Sequence, residues 1–538
     1  MKIKYSFLFA ILLFLAWPPI GINAFIFIAF VPAFYLVDAC FQKETRETKR
    51  KSGNALFYYT YLGFAIFNLA SSYWIWNASA VGMIIAVLLN AFLMTLPFIF
   101  YKKILQITSQ KTALIAFVAA WVSMEYFHMH WDLSWPWFTL GNAFASSSTW
   151  VQWYEYTGVF GGSIWVLAVN AMLYLALQQV EWKNKNLKVF APALLLIIIP
   201  IIVSKIIYSN YTEQINPCHV VVVQPNIDPY NEKFSASSEN EQMQKLLQLS
   251  AASAKKNTEF IIWPETALAS TIAEEELAND PKIIQAKSFL STYKNAALIT
   301  GASTYLTYVS AQTLTARVFS NGQCCYDVFN TALLIENGSA IQKYHKSKLV
   351  AGVEQMPYPS LLKFLEPYAL KLGGSFGSLG TQKTPTVLYN SAGIGAATVI
   401  CYESVYGEHC ANFVKQGAQF IAIITNDGWW GNTDGHKQHA LYAKLRAIEN
   451  RRSIARSANT GISSFIDQRG DVIQASKWWE ATSLAAAINL NENITYYTDH
   501  GDYLAHWMIA VFIFMILHLV YFKLIKKIIL DESLGIFN

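Results

Sequence analysis

Long apolar blocks fill this chain from residue 1 to about 208, and one more lies at about 503–524. A helix needs about 20 apolar residues to cross the hydrocarbon of a bilayer. On that basis eight spans are predicted, at 5–20, 22–40, 56–75, 80–101, 113–127, 161–178, 189–208 and 503–524. The first two are short and share the turn Trp17-Pro18-Pro19-Ile20-Gly21. Residues 1–20, with Lys2 and Lys4 at their start, also have the outline of a signal peptide, but no small-x-small cleavage site follows them. Between the blocks, 209–502 alternates charged helical stretches, Gly/Asn/Asp turns and short apolar runs. Those runs, at His219–Gln224, Glu259–Trp263, Ala297–Thr300, Ala332–Ile335, Ala396–Ile400, Phe420–Thr425 and Ile462–Ile466, are the length of buried strands. Helices are predicted from a cap at Ser237/Ser238 to about Lys256, and from about His436 to Ser453. The expectation is a membrane domain of seven helices over 1–208, an α/β domain with both sheet faces covered over 209–502, and a last span with its tail over 503–538.

Composition supports the division. Of 538 residues 54% are hydrophobic and only 14% charged, against about 25% charged in an ordinary soluble domain. A wholly soluble protein, a disordered chain and a disulfide-rich mini-protein are excluded. The net charge of +5 is slight for this length and gives no basic face for nucleic acid. Lys+Arg against Asp+Glu is 17 to 9 in the apolar part and 23 to 26 in 209–502.

Lysine and arginine also set an orientation. They occur at Lys2 and Lys4, in loop 41–55 (Lys43, Arg46, Lys49, Arg50, Lys51), in 102–112 (Lys102, Lys103, Lys111), in 179–188 (Lys183, Lys185, Lys188) and in the tail (Lys523, Lys526, Lys527). The intervening loops 76–79 and 128–160 hold none. Eight spans put every basic loop on the cytoplasmic side, with both termini, and put 209–502 on the other side. Loop 128–160 is dense in Trp and Tyr, which reads as an interfacial aromatic belt or as a lipid-facing platform under the middle domain.

Three stretches carry unusual chemistry. Ile261-Ile262-Trp263-Pro264-Glu265 puts a carboxylate just past a buried strand, and Tyr344-His345-Lys346 is followed eight residues later by Glu354. Thr398-Val399-Ile400-Cys401-Tyr402-Glu403 carries a thiol out of a buried strand into a turn. A cysteine at a strand end is more often a small buried hydrophobe, and a loop Glu or Lys is usually solvated. Together they make a coherent set: Glu265 to take the thiol proton, Lys346 to favour the thiolate and an oxyanion, and a main-chain N–H after Cys401 to join it. Of the six cysteines none forms a C-x-x-C pair, so a zinc site is not indicated. His436 and His439 have helical spacing that a metal could use, although a polar helix face is the expected role. His409 is a second, weaker candidate partner for Cys401.

Trp263-Pro264-Glu265, Tyr344-His345-Lys346 and Cys401-Tyr402-Glu403, in that order, resemble the three signature blocks of the nitrilase superfamily. Asn426-Asp427-Gly428-Trp429-Trp430-Gly431, Arg446-Ala447-Ile448-Glu449-Asn450 and Asn459-Thr460-Gly461 are similar to the blocks that follow. Bracketed by membrane spans, and with Trp135-Pro136-Trp137, Gly141, Gly158, Ser163 and Asn170 in its apolar part, the chain resembles the apolipoprotein N-acyltransferase family end to end. The resemblance implies an αββα nitrilase-like sandwich and a ping-pong reaction. In it Cys401 takes an acyl chain from a phospholipid and passes it to the N-terminal amine of a diacylglyceryl-cysteine apolipoprotein. Glu265 would be the general base and Lys346 the oxyanion stabiliser. Glu354 would orient Lys346, Tyr402 and Glu403 would flank the nucleophile, and Phe234 would line the acyl pocket. No cofactor or metal is implied. A monomer in a bacterial inner membrane, its catalytic domain periplasmic, is expected. One departure is that the family's Val-Pro-Phe-Gly-Glu after the lysine is here Val350-Ala351-Gly352-Val353-Glu354. The residues alone leave two other classes open, a membrane-anchored amidase or nitrilase-type hydrolase and a non-enzymatic transporter or scaffold. The apolar segment Tyr358–Leu370 beside Gly/Ser-rich 373–380 is expected to be either a lipid-entry arm or a packing helix.

Overall fold

Side chains that alternate along the central strands face two different cores. Val221 and Val223 pack with Ile261, Trp263, Leu298, Leu333 and Ile335. Above them lie Met243 and Leu246 of helix Glu239–Ser253, with Ile283, Ala286 and Leu290 of helix Pro281–Leu290. Val220, Val222, Phe260, Ile262, Ala297 and Ile299 point the other way, into a core shared with a second sheet. This period of two is what a sheet buried on both faces requires. The protein is described from a computed structural model, which covers residues 1–41, 46–180, 187–233, 238–319, 322, 324–362 and 378–533. Phe234 and residues 363–377 of the expected entry arm lie outside these described residues.

Among the described residues the first sheet has eight strands, ordered Thr482–Asn489, Pro217–Gln224, Phe260–Ile262, Ala297–Tyr308, Cys325–Ile335 and Arg317–Val318. Leu268–Ala273 pairs beside Ala297–Tyr308, and Gln342–His345 beside Cys325–Ile335. The second sheet runs Val472–Ala475, Ser464–Ile466, Ile454–Ala458, Phe420–Thr425, Gly395–Ile400 and Leu388–Tyr389. Its central strands are parallel, with Ala422 opposite Thr398 on one side and Ala455 on the other. Phe260 of one sheet meets Phe420 of the other edge-on, ring centroids 5.1 Å apart. Helices Gly407–Lys415 and Asp434–Asn450 cover the far side of the second sheet, completing the αββα sandwich.

Every strand-like run expected from the sequence is a strand. Several strands gave no such signal. Ile454–Ala458 (Ile-Ala-Arg-Ser-Ala) carries a buried arginine at its centre, and Thr482–Asn489 is a partly exposed edge of small residues. Neither shows a continuous apolar run or a clean alternation.

Six helices are long and apolar enough to cross a membrane: Asn23–Cys40, Ala80–Leu105, Gln110–Met129, Tyr154–Gln179, Leu187–Asn210 and Tyr503–Ile525. The expected count of eight is therefore not met among the described residues. Both remaining segments are helical. Lys2–Ala16 has 15 residues, about 22 Å at 1.5 Å each, less than the roughly 30 Å hydrocarbon core. Arg46–Ser72 begins in charged residues, and its apolar half is diluted by Tyr58, Tyr59, Thr60, Tyr61, Asn68, Ser71 and Ser72.

Part of the aromatic loop lies under the middle domain. Trp137, Phe138, Leu140 and Phe144 are buried in the short helical turns Pro136–Phe138 and Leu140–Trp150, which form a floor under the middle domain. Trp74 packs against Trp137 at 5.0 Å and Trp430 at 4.8 Å. Trp137 Nε1 donates to Gln438 Oε1 at 2.6 Å, and Tyr442 donates to the Trp137 carbonyl at 3.0 Å.

The inter-sheet contact gives a direct test of the sandwich. Phe260→Ala should destabilise the protein by about 3–5 kcal/mol, because a buried aromatic leaves a cavity between two rigid sheets. Phe260→Leu should lose less than half of that. Denaturant unfolding of the detergent-solubilised protein measures both.

Candidate active site

Glu265 reaches the mouth of the first sheet because its strand continues past Ile262. The Trp263 amide donates to the Ile299 carbonyl at 2.8 Å, and the chain then turns at Pro264, with Thr266 at φ +47°. That turn presses on Gly301. A Cβ there would lie 2.4 Å from Thr266 N and 2.6 Å from Glu265 Cα, so only glycine admits the approach.

Lys346 arrives from the neighbouring hairpin, where Thr331 is registered opposite His345 and the Lys346 amide donates to the Asn330 carbonyl at 2.8 Å. Its ammonium, 1% exposed, donates to Glu265 Oε1 at 3.1 Å and Glu354 Oε1 at 2.8 Å. Asn330 Nδ2 lies 2.8 Å from the same Glu265 oxygen and 3.2 Å from the same Glu354 oxygen, tying the carboxylates together. Burial opposes the Lys346 charge, but Glu265 and Glu354 outweigh it and hold the ammonium well above the usual lysine range. The loop from Lys346 to Glu354, with Ala351 where the family commonly has proline, is held by its own main chain. The Val350 amide donates to Glu354 Oε2 at 2.8 Å, the Glu354 amide donates to the Val350 carbonyl at 2.9 Å, and Gly352 takes φ +75°.

A second buried ammonium joins them. Lys233, 2% exposed, donates from Nζ to the Glu265 carbonyl at 3.0 Å. Burial lowers its pKa to about 8, although the Glu265 and Cys401 charges act the other way. Glu265 thus meets two ammonium groups, Lys346 on its carboxylate and Lys233 on its main-chain carbonyl.

Cys401 begins the turn Cys401–Val405 at the end of strand Gly395–Ile400, with φ +52°. A side-chain-bearing residue rarely adopts this left-handed conformation, and strain of this kind clusters at functional turns. Burial pushes the Cys401 thiol up and the Glu265 charge pushes the same way, while Lys346 pulls it down. Glu403 fastens this turn to the lysine loop. Its Oε1 accepts from Tyr344 Oη and the Ser347 amide, both at 2.6 Å, and its Oε2 from the Ile400 amide at 2.9 Å. Burial works against that charge, but His409, Tyr344 and the Ile400 amide hold the carboxyl below the usual range. Tyr402 Oη donates to the Ser134 carbonyl at 2.9 Å, so the residue after Cys401 is anchored on the N-terminal helical part. A cavity of about 620 Å³ opens beside these groups, lined by Glu265, Asn330, Glu354, Phe329, Tyr305 and Trp429.

Glu265, Lys346 and Glu354 are therefore in direct contact, with Cys401 within their electrostatic reach. His409 faces Glu403 at 3.3 Å and Tyr344 at 3.2 Å, which occupies its ring in holding the turn. His436 and His439 do not form a polar outer face, since each is 1% exposed. Among the described residues no group of three or more His, Cys, Asp or Glu could hold a metal. Asn330 and Lys233 escaped the sequence reading: one lies inside an apolar strand and the other in a polar loop, and neither carries a local signal.

Lys233 sets a pH dependence. In the unfolded chain it stays protonated to about pH 10.4, so between about pH 8 and 10.4 the unfolded state binds more protons and stability rises with pH. The difference in unfolding free energy between wild type and Lys233→Met should move in favour of wild type by about 3 kcal/mol across that window. A difference that does not change with pH contradicts it.

Residues 219–496, just over half of the chain, match the carbon-nitrogen hydrolase family, and residues 9–172 match the apolipoprotein N-acyltransferase N-terminal domain. An apolipoprotein N-acyltransferase of Chlorobaculum tepidum is 29% identical over 506 residues, 93% of this chain and 92% of that one. One of Geobacter metallireducens is 25% identical over 510 residues, again 93% and 92%. An amidase of known structure from Nesterenkonia sp. is 14% identical, over 55% of this chain and 98% of that one, with a TM-score of 0.36. The match over 219–496 shows that this chain belongs to the carbon-nitrogen hydrolase family, within which it is similar along almost its whole length to apolipoprotein N-acyltransferases.

Proposed function

We propose that this protein transfers a fatty acyl chain from a phospholipid, through a thioester on Cys401, to the N-terminal amine of a diacylglyceryl-cysteine apolipoprotein. The observation that carries this reading is the contact of Lys346 with Glu265 and Glu354 beside a cysteine held at positive φ, in a chain with membrane-length helices on both sides of its catalytic domain. In the first half-reaction Cys401 Sγ attacks the ester carbonyl carbon as its proton passes to Glu265. The Lys346 ammonium and the Tyr402 main-chain N–H stabilise the tetrahedral oxyanion. The C–O bond then breaks, and the lysophospholipid leaves with the proton held by Glu265. In the second half-reaction the acceptor amine attacks the thioester, Glu265 takes the amine's proton, and the amide forms as the C–S bond breaks. The sulfur regains the proton, and the enzyme returns to its starting state without a cofactor.

Glu354 keeps Lys346 charged and aimed. Glu403 fixes the distance between the nucleophile turn and the lysine loop, and Tyr402 fixes the turn on the membrane part. Membrane attachment fits the substrates: burying an acyl chain is worth about 0.8 kcal/mol per CH₂, so neither lipid should cross water to reach Cys401. The reading takes 1–208 as the membrane domain, 209–502 as the catalytic domain on the non-cytoplasmic side and 503–538 as the last span and cytoplasmic tail, with the chain acting as a monomer.

Intact mass spectrometry after incubation with phospholipid should show one fatty acyl group on Cys401, chased as an amide onto an added diacylated lipopeptide. Cys401→Ala should abolish both. Glu265→Gln and Lys346→Met should lower turnover by about 10²-fold or more. Release of the acyl group as free acid with no transfer would make the protein a hydrolase, and no adduct on the folded protein would make it a scaffold.

A further inference from the structure

The Cys401 turn is gripped from behind by buried polar groups that the reaction above leaves unused. His439, on helix Asp434–Asn450, places Nε2 2.9 Å from Ser404 Oγ and 3.2 Å from the Cys401 carbonyl oxygen. Ser404 Oγ donates to that same carbonyl at 2.7 Å. A hydroxyl has one proton to give, so with it committed to the carbonyl, His439 Nε2 is left to donate, with Nδ1 donating in turn to Asp427, whose carboxylate only accepts. His439 Nδ1 lies 2.9 Å from Asp427 Oδ1. The other Asp427 oxygen accepts from Arg456 Nη2 at 2.6 Å, and Thr425 Oγ1 donates to Oδ1 at 2.8 Å. Arg456 is in turn fixed by the Ile462 carbonyl at 2.5 Å. His439 is 1% exposed, and Asp427 and Arg456 are fully buried.

We propose that His439, oriented by Asp427 and Arg456, is a positioning residue that sets the oxyanion donor of this enzyme by pinning the Cys401 carbonyl. The carbonyl of Cys401 and the N–H of Tyr402 belong to one rigid peptide plane and point in opposite directions. Two donors on the carbonyl therefore fix where the N–H points, while the strained φ of Cys401 leaves this plane free to relax if they are lost. Trp137 of the membrane floor packs on the His439 ring, centroids 5.9 Å apart, and the preceding residue, Gln438, accepts from Trp137 and donates to the Pro18 and Ser71 carbonyls. The helix that pins the plane is itself seated on the membrane part.

This inference rests on Cys401 being the acylated nucleophile, and the test separates the two. Formation of the acyl-enzyme passes through an oxyanion, whereas alkylation of Cys401 by iodoacetamide does not. His439→Met should slow acylation by about 10²-fold, with KM for phospholipid unchanged and alkylation within about twofold of wild type. His439→Gln, which keeps a donor near Nε2, should recover acylation to within about tenfold of wild type. Ser404→Ala, a small change, carries the same expectation as His439→Met should that variant fail to fold. Acylation at the wild-type rate in the folded His439→Met or Ser404→Ala variant overturns the inference. So does alkylation falling in step with acylation, or a folded His439→Gln no better than His439→Met. A wild-type protein that forms no acyl adduct would instead overturn the reading of Cys401 itself.

Discussion

A lysine ammonium sealed from water must be answered by negative charge, and most of this site follows from that requirement. Leaving one partner of a buried ion pair alone costs about 3–5 kcal/mol. Lys346 is answered by Glu265, from the end of a parallel strand, and by Glu354, from its own loop, and Asn330 bridges the two carboxylates. These groups meet only if the sheet holds one register. Ser303 opposite Asn330 and Thr331 opposite His345 place the asparagine beside the lysine, and Gly301 lets the Glu265 turn come down on the strand between them. A slip of one residue would turn every one of these side chains to the other face. Lys233 adds a second ammonium on the Glu265 main chain, so the cluster of two lysines and two carboxylates is close to neutral.

The second constraint is the seam between the catalytic domain and the membrane part. Its contacts reach the Cys401 turn and helix Asp434–Asn450, and also the loops nearer the carboxylates, where the Tyr358 amide donates to Asp132 and Tyr230 donates to the Asn77 carbonyl. Tyr402 and Tyr406 reach Ser134, Gln438 and Tyr442 reach Trp137, and Tyr442 also accepts from Trp17 Nε1 at 3.1 Å. The Cys401 turn rests directly on the N-terminal helical part, while Glu265, Lys346 and Glu354, from earlier in the chain, lie just past strand ends of the first sheet and in the loop that follows.

The sequence showed this unevenly. Glu265 and Cys401 were legible because each follows a short apolar run, and a reactive side chain just past a buried strand is a local pattern, whereas Lys346 was legible from the Tyr344-His345-Lys346 block that resembles a nitrilase signature. Glu354 was legible from its spacing, which survived the loss of proline before it. Asn330, Lys233 and His439 were not, since each works through a partner in a distant segment. The helix Asp434–Asn450 looked half solvated because it is polar on every side, yet His436, Gln438, His439, Arg446 and Glu449 are all buried against polar partners. The Trp-rich loop left two readings open, because a platform under a domain and a belt at a bilayer surface have the same composition. Of the eight expected spans, the two that fall short are the 15-residue first helix and the tyrosine-rich third one, where length and polarity, not helix formation, fail the criterion.

The central claim is that the Lys346 ammonium, held by its two carboxylates, poises the Cys401 sulfur for attack. The rate of Cys401 alkylation by iodoacetamide near neutral pH, compared between wild type and folded Lys346→Met, measures this directly. The account predicts a fall of about tenfold or more, because a nearby cation favours the thiolate and a carboxylate left alone does not. Equal rates in the two proteins would contradict it.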